Sequence, residues 1–136
     1  MAVEVHIRPA IPDDHNLIWA TWLENYKHSS SLGRRVRPDV YYAGQRKVID
    51  HALKQGETLI ASPLGDDLIV GYLVHTNASV IQYCYVKQSF RRMGIGKALL
   101  TALPWKEFTH WTDDCAGLMK KFPNVVYNPY GALHGS

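Results

Sequence analysis

The segment from Tyr85 to Leu100 holds the residue types and spacing best suited to chemistry. An apolar run ending in Tyr85-Val86-Lys87 passes through Gln88-Ser89-Phe90 into Arg91-Arg92-Met93-Gly94-Ile95-Gly96-Lys97, and a helical pattern opens at once. The first turn of a helix presents backbone N–H groups without internal partners and a partial positive charge, so such a turn suits a phosphate or pyrophosphate. Gly94 and Gly96 let the backbone approach an anion without a Cβ in the way. Arg91, Arg92 and Lys97 add positive charge at the rim.

Two other phosphate-binding patterns fail here. A dinucleotide fingerprint needs a third glycine or alanine where this chain has Leu99. A Walker loop needs serine or threonine after Gly96-Lys97, where Ala98 stands, and an upstream glycine that is missing. The seven histidines form no recognisable metal-ligand spacing with cysteine or carboxylate, so no metal is expected.

The elements that must position this turn are legible from periodicity. Val3, Val5 and Ile7 alternate with polar residues as in a half-buried strand. After Pro9 and Pro12, Asp13 or Asp14 can cap a helix whose apolar face is Trp19, Trp22, Leu23 and Tyr26. His28 to Gly33 breaks that helix, and Arg34-Arg35-Val36-Arg37 is expected as a loop. Tyr41, Gln45, Val48, Ile49, Ala52 and Leu53 mark a second helix from Pro38 to Gly56. Strands are expected at Thr58–Ala61, Leu68–Val74 and Val80–Val86, with turns at Gly65-Asp66-Asp67 and Asn77-Ala78-Ser79. Ile95, Ala98, Leu99 and Ala102 form the helix after the basic turn, closed by Pro104. A strand at Glu107–Trp111, a short helix through Cys115, Leu118, Met119 and Phe122, and a last strand at Val125–Tyr127 complete the order. The sequence reads β-α-α-β-β-β-α-β-α-β, a mixed α/β sheet with a largely antiparallel first half.

At 136 residues, with 46% hydrophobic and 20% charged, the chain fits one domain spanning 1–136 with an ordinary core. Cys84 and Cys115 read as free thiols of a reducing cytoplasm. No signal peptide or membrane-length apolar run is evident, so a soluble, cytoplasmic protein without membrane contact is expected. A net charge of +3 suits an anionic partner without making the chain a nucleic-acid binder. Arg34, Arg35 and Arg37 would serve an acidic acceptor or a nucleic-acid phosphate, although a solvated surface is the commoner use of such clusters.

The basic turn resembles motif A of the GNAT acetyltransferases, in which a glutamine or arginine is followed by two residues, a glycine, one residue, and a glycine or alanine. Arg91, Gly94 and Gly96 occupy the three defined positions, and Val86 and Phe90 precede them where the family has an apolar and an aromatic residue. The resemblance extends over about residues 3 to 127 through the order of elements. It implies an N-acetyltransferase acting on acetyl-CoA, or another acyl-CoA, and an amine-bearing acceptor by direct attack. Tyr85, Val86 and Lys87 would then meet the pantetheine arm through their backbone. Arg91, Arg92, Gly94, Ile95, Gly96 and Lys97 would hold the pyrophosphate. Glu107 to Thr112 would form the far side of the gap, and a backbone N–H would stabilise the oxyanion.

The groups that move protons depart from the family pattern. Many members carry a glutamate on the strand before the motif, but Val80-Ile81-Gln82-Tyr83-Cys84 has no carboxylate. Many carry a tyrosine late in the following helix, where counting from Ala116 reaches Lys120, and Phe122-Pro123 replaces the usual ending. Tyr83 and Tyr127 are the candidate catalytic residues; Tyr85, Tyr130, His75 and His110 are further substitutes. Asp66 or Asp67 acting through water, and Cys84 as an acyl carrier, have less in their favour. The short tail after Tyr127 implies a clipped final hairpin, which dimer contacts would complete. Two alternatives stand beside the enzyme reading: a phage- or mobile-element-borne relative that modifies nucleic acid, and a scaffold that binds CoA without catalysis.

Overall fold

A computed structural model describes residues 4–133. Val3, at the start of the expected first strand, and His134 to Ser136 of the tail lie outside the described residues. Strand β1 (Val5–Pro9) is followed by a 3-10 turn at Pro12–Asp14, where Asp14 takes the Ile11 amide at 2.9 Å and the Arg8 guanidinium at 2.8 Å. Helix α1 (His15–Ser29) then runs to Ser30, whose hydroxyl accepts from the Gly33 amide at 2.9 Å and starts a short helix α2 (Ser31–Arg35). The basic segment expected as a loop is therefore partly helical, because Ser30 caps a new turn rather than only ending the old one. Helix α3 (Pro38–Gln55) has Pro38 in its first turn, as a helix start prefers.

Strands β2 (Glu57–Pro63), β3 (Gly71–Thr76) and β4 (Val80–Val86) follow, then α4 (Ile95–Leu100), β5 (Glu107–Phe108), α5 (Cys115–Lys121) and β6 (Val126–Tyr127). The six strands form one sheet in chain order, antiparallel from β1 to β4 and parallel from β4 to β6. Strand β3 begins three residues later than its apolar pattern suggests. The Asp66 carboxylate accepts from the Leu68 amide at 2.9 Å, which lengthens the turn and leaves Leu68 exposed. Strand β5 is shorter than expected, ending before Thr109 for a reason that matters below.

The sheet separates two cores. On one face, Ile18, Trp22, Leu23, Tyr26, Tyr41 and Ile49 of α1 and α3 pack on Ile60, Tyr72, Val74 and Tyr83. On the other, Ile95 and Leu99 of α4 and Cys115 of α5 pack on Leu73, Ile81, Phe108 and Trp105. Among the described residues, no helix is long and apolar enough to cross a membrane.

Gly71 is where the second core closes tightly. A Cβ there would stand 2.8 Å from the Tyr85 carbonyl oxygen and 3.2 Å from Ile95 Cγ2. Gly71→Ala is expected to lower stability by about 1–3 kcal/mol in urea unfolding with an unchanged m value. A midpoint equal to that of the unsubstituted protein would contradict this close approach.

Candidate active site

The site is built where β4 and β5 part. Their parallel ladder pairs Val80 with Glu107 and Ile81 with Phe108, and its last backbone bond runs from the Thr109 amide to the Ile81 carbonyl at 3.1 Å. Beyond it the strands diverge. The cause lies in β4, where Val74 pairs with Tyr83 but His75 pairs with Ile81, leaving Gln82 as an extra, bulged residue. The bulge puts Ile81 and Cys84 on the same face although they are three apart, whereas strict alternation would separate them.

A buried polar chain holds the fork. The Gln82 amide donates to Thr76 Oγ1 at 2.9 Å, and its carbonyl oxygen accepts from Thr109 Oγ1 at 2.8 Å. His110 Nδ1 meets Thr109 Oγ1 at 2.8 Å, and its Nε2 accepts from the Gln45 amide at 3.1 Å. With Gln45 as donor to Nε2, the proton of the neutral ring sits on Nδ1. Trp22, Tyr26 and Tyr83 surround that ring edge-on, with centroids 5.2, 4.8 and 6.0 Å away. Burial pushes His110 down to about 4, so it is neutral at physiological pH.

Past the fork, β4 shows an open edge. The Lys87 amide bonds the Val70 carbonyl on the β3 side at 2.8 Å, while the Val86 carbonyl accepts from Arg91 Nε at 3.1 Å on the other. Alternation along the strand therefore turns the backbone of Cys84 and Val86 toward the opening and that of Tyr83, Tyr85 and Lys87 away from it. Of the three residues expected to present backbone groups there, Val86 alone does so, joined by Cys84.

The basic turn stands at the end of this edge. Arg92 and Gly94 have positive φ, 65° and 83°, while Met93 between them and the helical Ile95 after them do not. Such alternation curls successive N–H groups toward one concave side, a form suited to anions. The first bond of α4 runs from Ala98 to the Gly94 carbonyl at 3.0 Å, which leaves the Ile95, Gly96 and Lys97 amides without helical partners. Arg91, Arg92 and Lys97 are exposed around it.

Two cavities flank the fork. The larger, about 910 Å³, lies on the α4 and α5 side against Cys84, Gly96, Lys97, Thr101, Thr112 and Leu118. The smaller, about 230 Å³, lies on the α1 side against Asn25, Ser29, Tyr83, Tyr85, Arg91 and Asp114. Tyr83, the first candidate catalytic residue, borders both, but its hydroxyl donates to Asn25 Oδ1 and its ring stacks on Trp22 at 5.1 Å. Burial raises it above the usual tyrosine range. Tyr127, the second candidate, borders neither cavity; its ring packs on Phe108 at 5.4 Å and Trp111 at 5.3 Å. Among the other substitutes, His75 points its Nδ1 at the Asn77 carbonyl, 2.6 Å away in the turn, and burial pushes the Cys84 thiol up to about 12.

A family model described as the acetyltransferase (GNAT) family matches residues 16–104. The chain belongs to the GNAT acetyltransferase family. Among solved structures, a histone acetyltransferase HPA2 and related acetyltransferase from Corynebacterium glutamicum is similar at 16% identity and a TM-score of 0.65, over 90% of this chain and 84% of that one. A GCN5-related N-acetyltransferase from Rhodopseudomonas palustris gives 18% and 0.62, over 90% and 82%. A transcriptional regulator from Bacillus halodurans gives 19% and 0.56, over 88% and 91%. At these identities the likeness concerns the fold. A search of curated proteins found no match.

Sequence reasoning missed Asp114 and Asn25, which the fold brings together around the smaller cavity. Asp114 reads in the sequence as a helix cap, yet its side chain makes no capping bond. Arg34, Arg35 and Arg37 lie on an exposed surface, where Arg34 grips Asp113 through two bonds of 2.8 and 3.0 Å and Arg37 pairs with Asp39.

The buried His110 carries a pH signature. Its folded value lies below the free value of about 6.5, so the unfolded chain binds the proton more readily. Its neutral burial adds stability that is present above pH 6.5 and is lost as pH falls from 6.5 toward 4. Part of the ring borders the larger cleft, so solvent reduces the effect to about 2 kcal/mol. Denaturant unfolding of His110→Gln between pH 7 and 4.5 is expected to show a shallower loss than the parent chain. Parallel pH profiles would contradict the assignment.

Proposed function

We propose that this GNAT protein transfers an acetyl group from acetyl-CoA to a primary amine by direct attack of the amine on the thioester. One observation carries the reading: the β4 edge that opens at Gln82 leads, through one 3-10 turn at Gln88–Phe90, to the curled amides of residues 92–97. A phosphate-bearing thioester is long and polar at one end and slender at the other. Its pyrophosphate fits the basic turn, and its pantetheine arm fits along Cys84 in the larger cleft and past Val86 at the edge of the smaller cavity. The thioester carbonyl then lies near the fork, where an amide of the open edge can bond the developing oxyanion. The acceptor enters from the α1 side, through the smaller cavity.

The exposed ion pairs of Arg34 with Asp113 and Arg37 with Asp39 leave less free positive charge on the basic segment for the nucleic-acid alternative. Neutral, buried Tyr83 and His110 support the shape of the fork rather than proton transfer across it.

Isothermal titration with acetyl-CoA, beside free CoA, tests the reading. Micromolar binding is expected for the unsubstituted protein. Gly94→Val places a β-branched residue at φ 83°, where it costs about 1–3 kcal/mol of strain and obstructs the anion cradle. Its acetyl-CoA affinity is expected to fall by more than tenfold while its far-ultraviolet circular dichroism stays that of the parent. Failure of the parent protein to bind either ligand, or unchanged affinity in the variant, would overturn the proposal.

A further inference from the structure

The two cavities share four lining residues, Tyr83, Cys84, Thr112 and Asp114. A group that takes a proton from an amine attacking a thioester must reach the passage between acceptor and donor, so these four are the candidates. The Tyr83 hydroxyl is committed to Asn25, and burial raises its proton affinity in the wrong sense for ready ionisation. The Cys84 thiol is held protonated by its burial. Thr112 offers a hydroxyl, which is not a base at neutral pH. Asp114 remains, and its carboxylate oxygens can accept a proton.

Three features prepare Asp114 for such work. It stands at the N-cap of α5 without spending its carboxylate on the helix, and it has no salt bridge among the described residues. Its neighbour Asp113 is fixed from two directions, by the bidentate Arg34 and by its own amide donating to the Ser29 carbonyl at 2.8 Å. That strap ties the start of α5 to the end of α1, and Asp114 lines the smaller cavity together with Asn25 and Ser29. The residue is also exposed, so a proton it collects can leave to water.

We propose that Asp114 is the general base of this site and that the acceptor is a small primary amine entering as its ammonium ion. The proposal rests on the acyltransferase reading above and supplies the carboxylate that β4 lacks. The smaller cavity, about 230 Å³, has room beside Asp114 for a compact amine, with Arg91 on another part of its lining. Asp114 takes one proton from the ammonium and passes it to water. The neutral nitrogen attacks the thioester carbon, forming the C–N bond and an oxyanion. As the oxyanion collapses, the C–S bond breaks and the electron pair leaves on sulfur. The second nitrogen proton reaches that thiolate, giving the amide and the CoA thiol.

The test uses the full chain, acetyl-CoA and a panel of primary amines ranging from small aliphatic amines and amino acids to a lysine-rich protein, with thiol release as readout. Small amines are expected to be turned over. Asp114→Asn is expected to lower kcat/KM by at least about 100-fold with unchanged acetyl-CoA affinity, and Asp114→Glu to recover part of the rate. Asp114 is exposed and makes no capping bond, so asparagine there leaves the fold intact. A rate in Asp114→Asn close to that of the parent would overturn the proposal and leave the acyltransferase reading standing. Turnover of the protein alone, or binding of acetyl-CoA without turnover of any amine, would do the same to the small-amine assignment and to the base. Absence of acetyl-CoA binding by the parent would remove both readings.

Discussion

Strands β4 and β5 share a ladder only as far as Thr109, and the parting of these strands sets the rest of the molecule in place. A sheet interior normally satisfies every backbone group, so an edge left open between two central strands requires something to hold it apart. Here that is the bulge at Gln82 and its buried chain through Thr109 to His110 and Gln45. The chain's members bond one another in series, from Thr76 through Gln82, Thr109 and His110 to Gln45, which holds the fork rigid. Its ends touch both layers of the protein, because Gln45 belongs to α3 while Thr109 and His110 extend β5. The opening is therefore tied to the packing of helices that do not themselves border the larger cleft.

The chemistry is distributed by burial. Titratable groups inside the fork, Tyr83, Cys84 and His110, are all driven toward their neutral forms, as desolvation requires. Charged groups sit at the rims: Arg91, Arg92 and Lys97 around the basic turn, with Arg91 also on the smaller cavity, and Asp114 on the wall that both cavities share.

Local patterns made the element order and the basic turn legible, because glycine spacing, apolar periodicity and proline stops are written in neighbouring residues. The positions of Arg91, Gly94 and Gly96 belong to this class, and the left-handed backbone at Gly94 agrees with the glycine found there. Other features depend on partners distant in sequence. Arg34 and Asp113 lie far apart in the chain, so the arginine reads as free until the fold pairs it. The length of β5 depends on a bulge in β4 that no local pattern announces, since Gln82 looks like any polar residue in a strand. Asp114 has the right chemistry to cap a helix, and only the arrangement of two cavities shows what else it faces. Tyr127 reads as a reachable acid from its place near the last strand, and the structure puts it in an aromatic cluster instead.

The most direct test of the central claim is an amide-resolved nuclear magnetic resonance titration of the protein with acetyl-CoA. If the parted strands and the curled turn together receive the thioester, the largest shifts will fall on the amides of Cys84, Val86 and residues 92–97, with smaller ones at Thr109 and His110. Saturable shifts confined to another surface, with those amides unmoved, would contradict it.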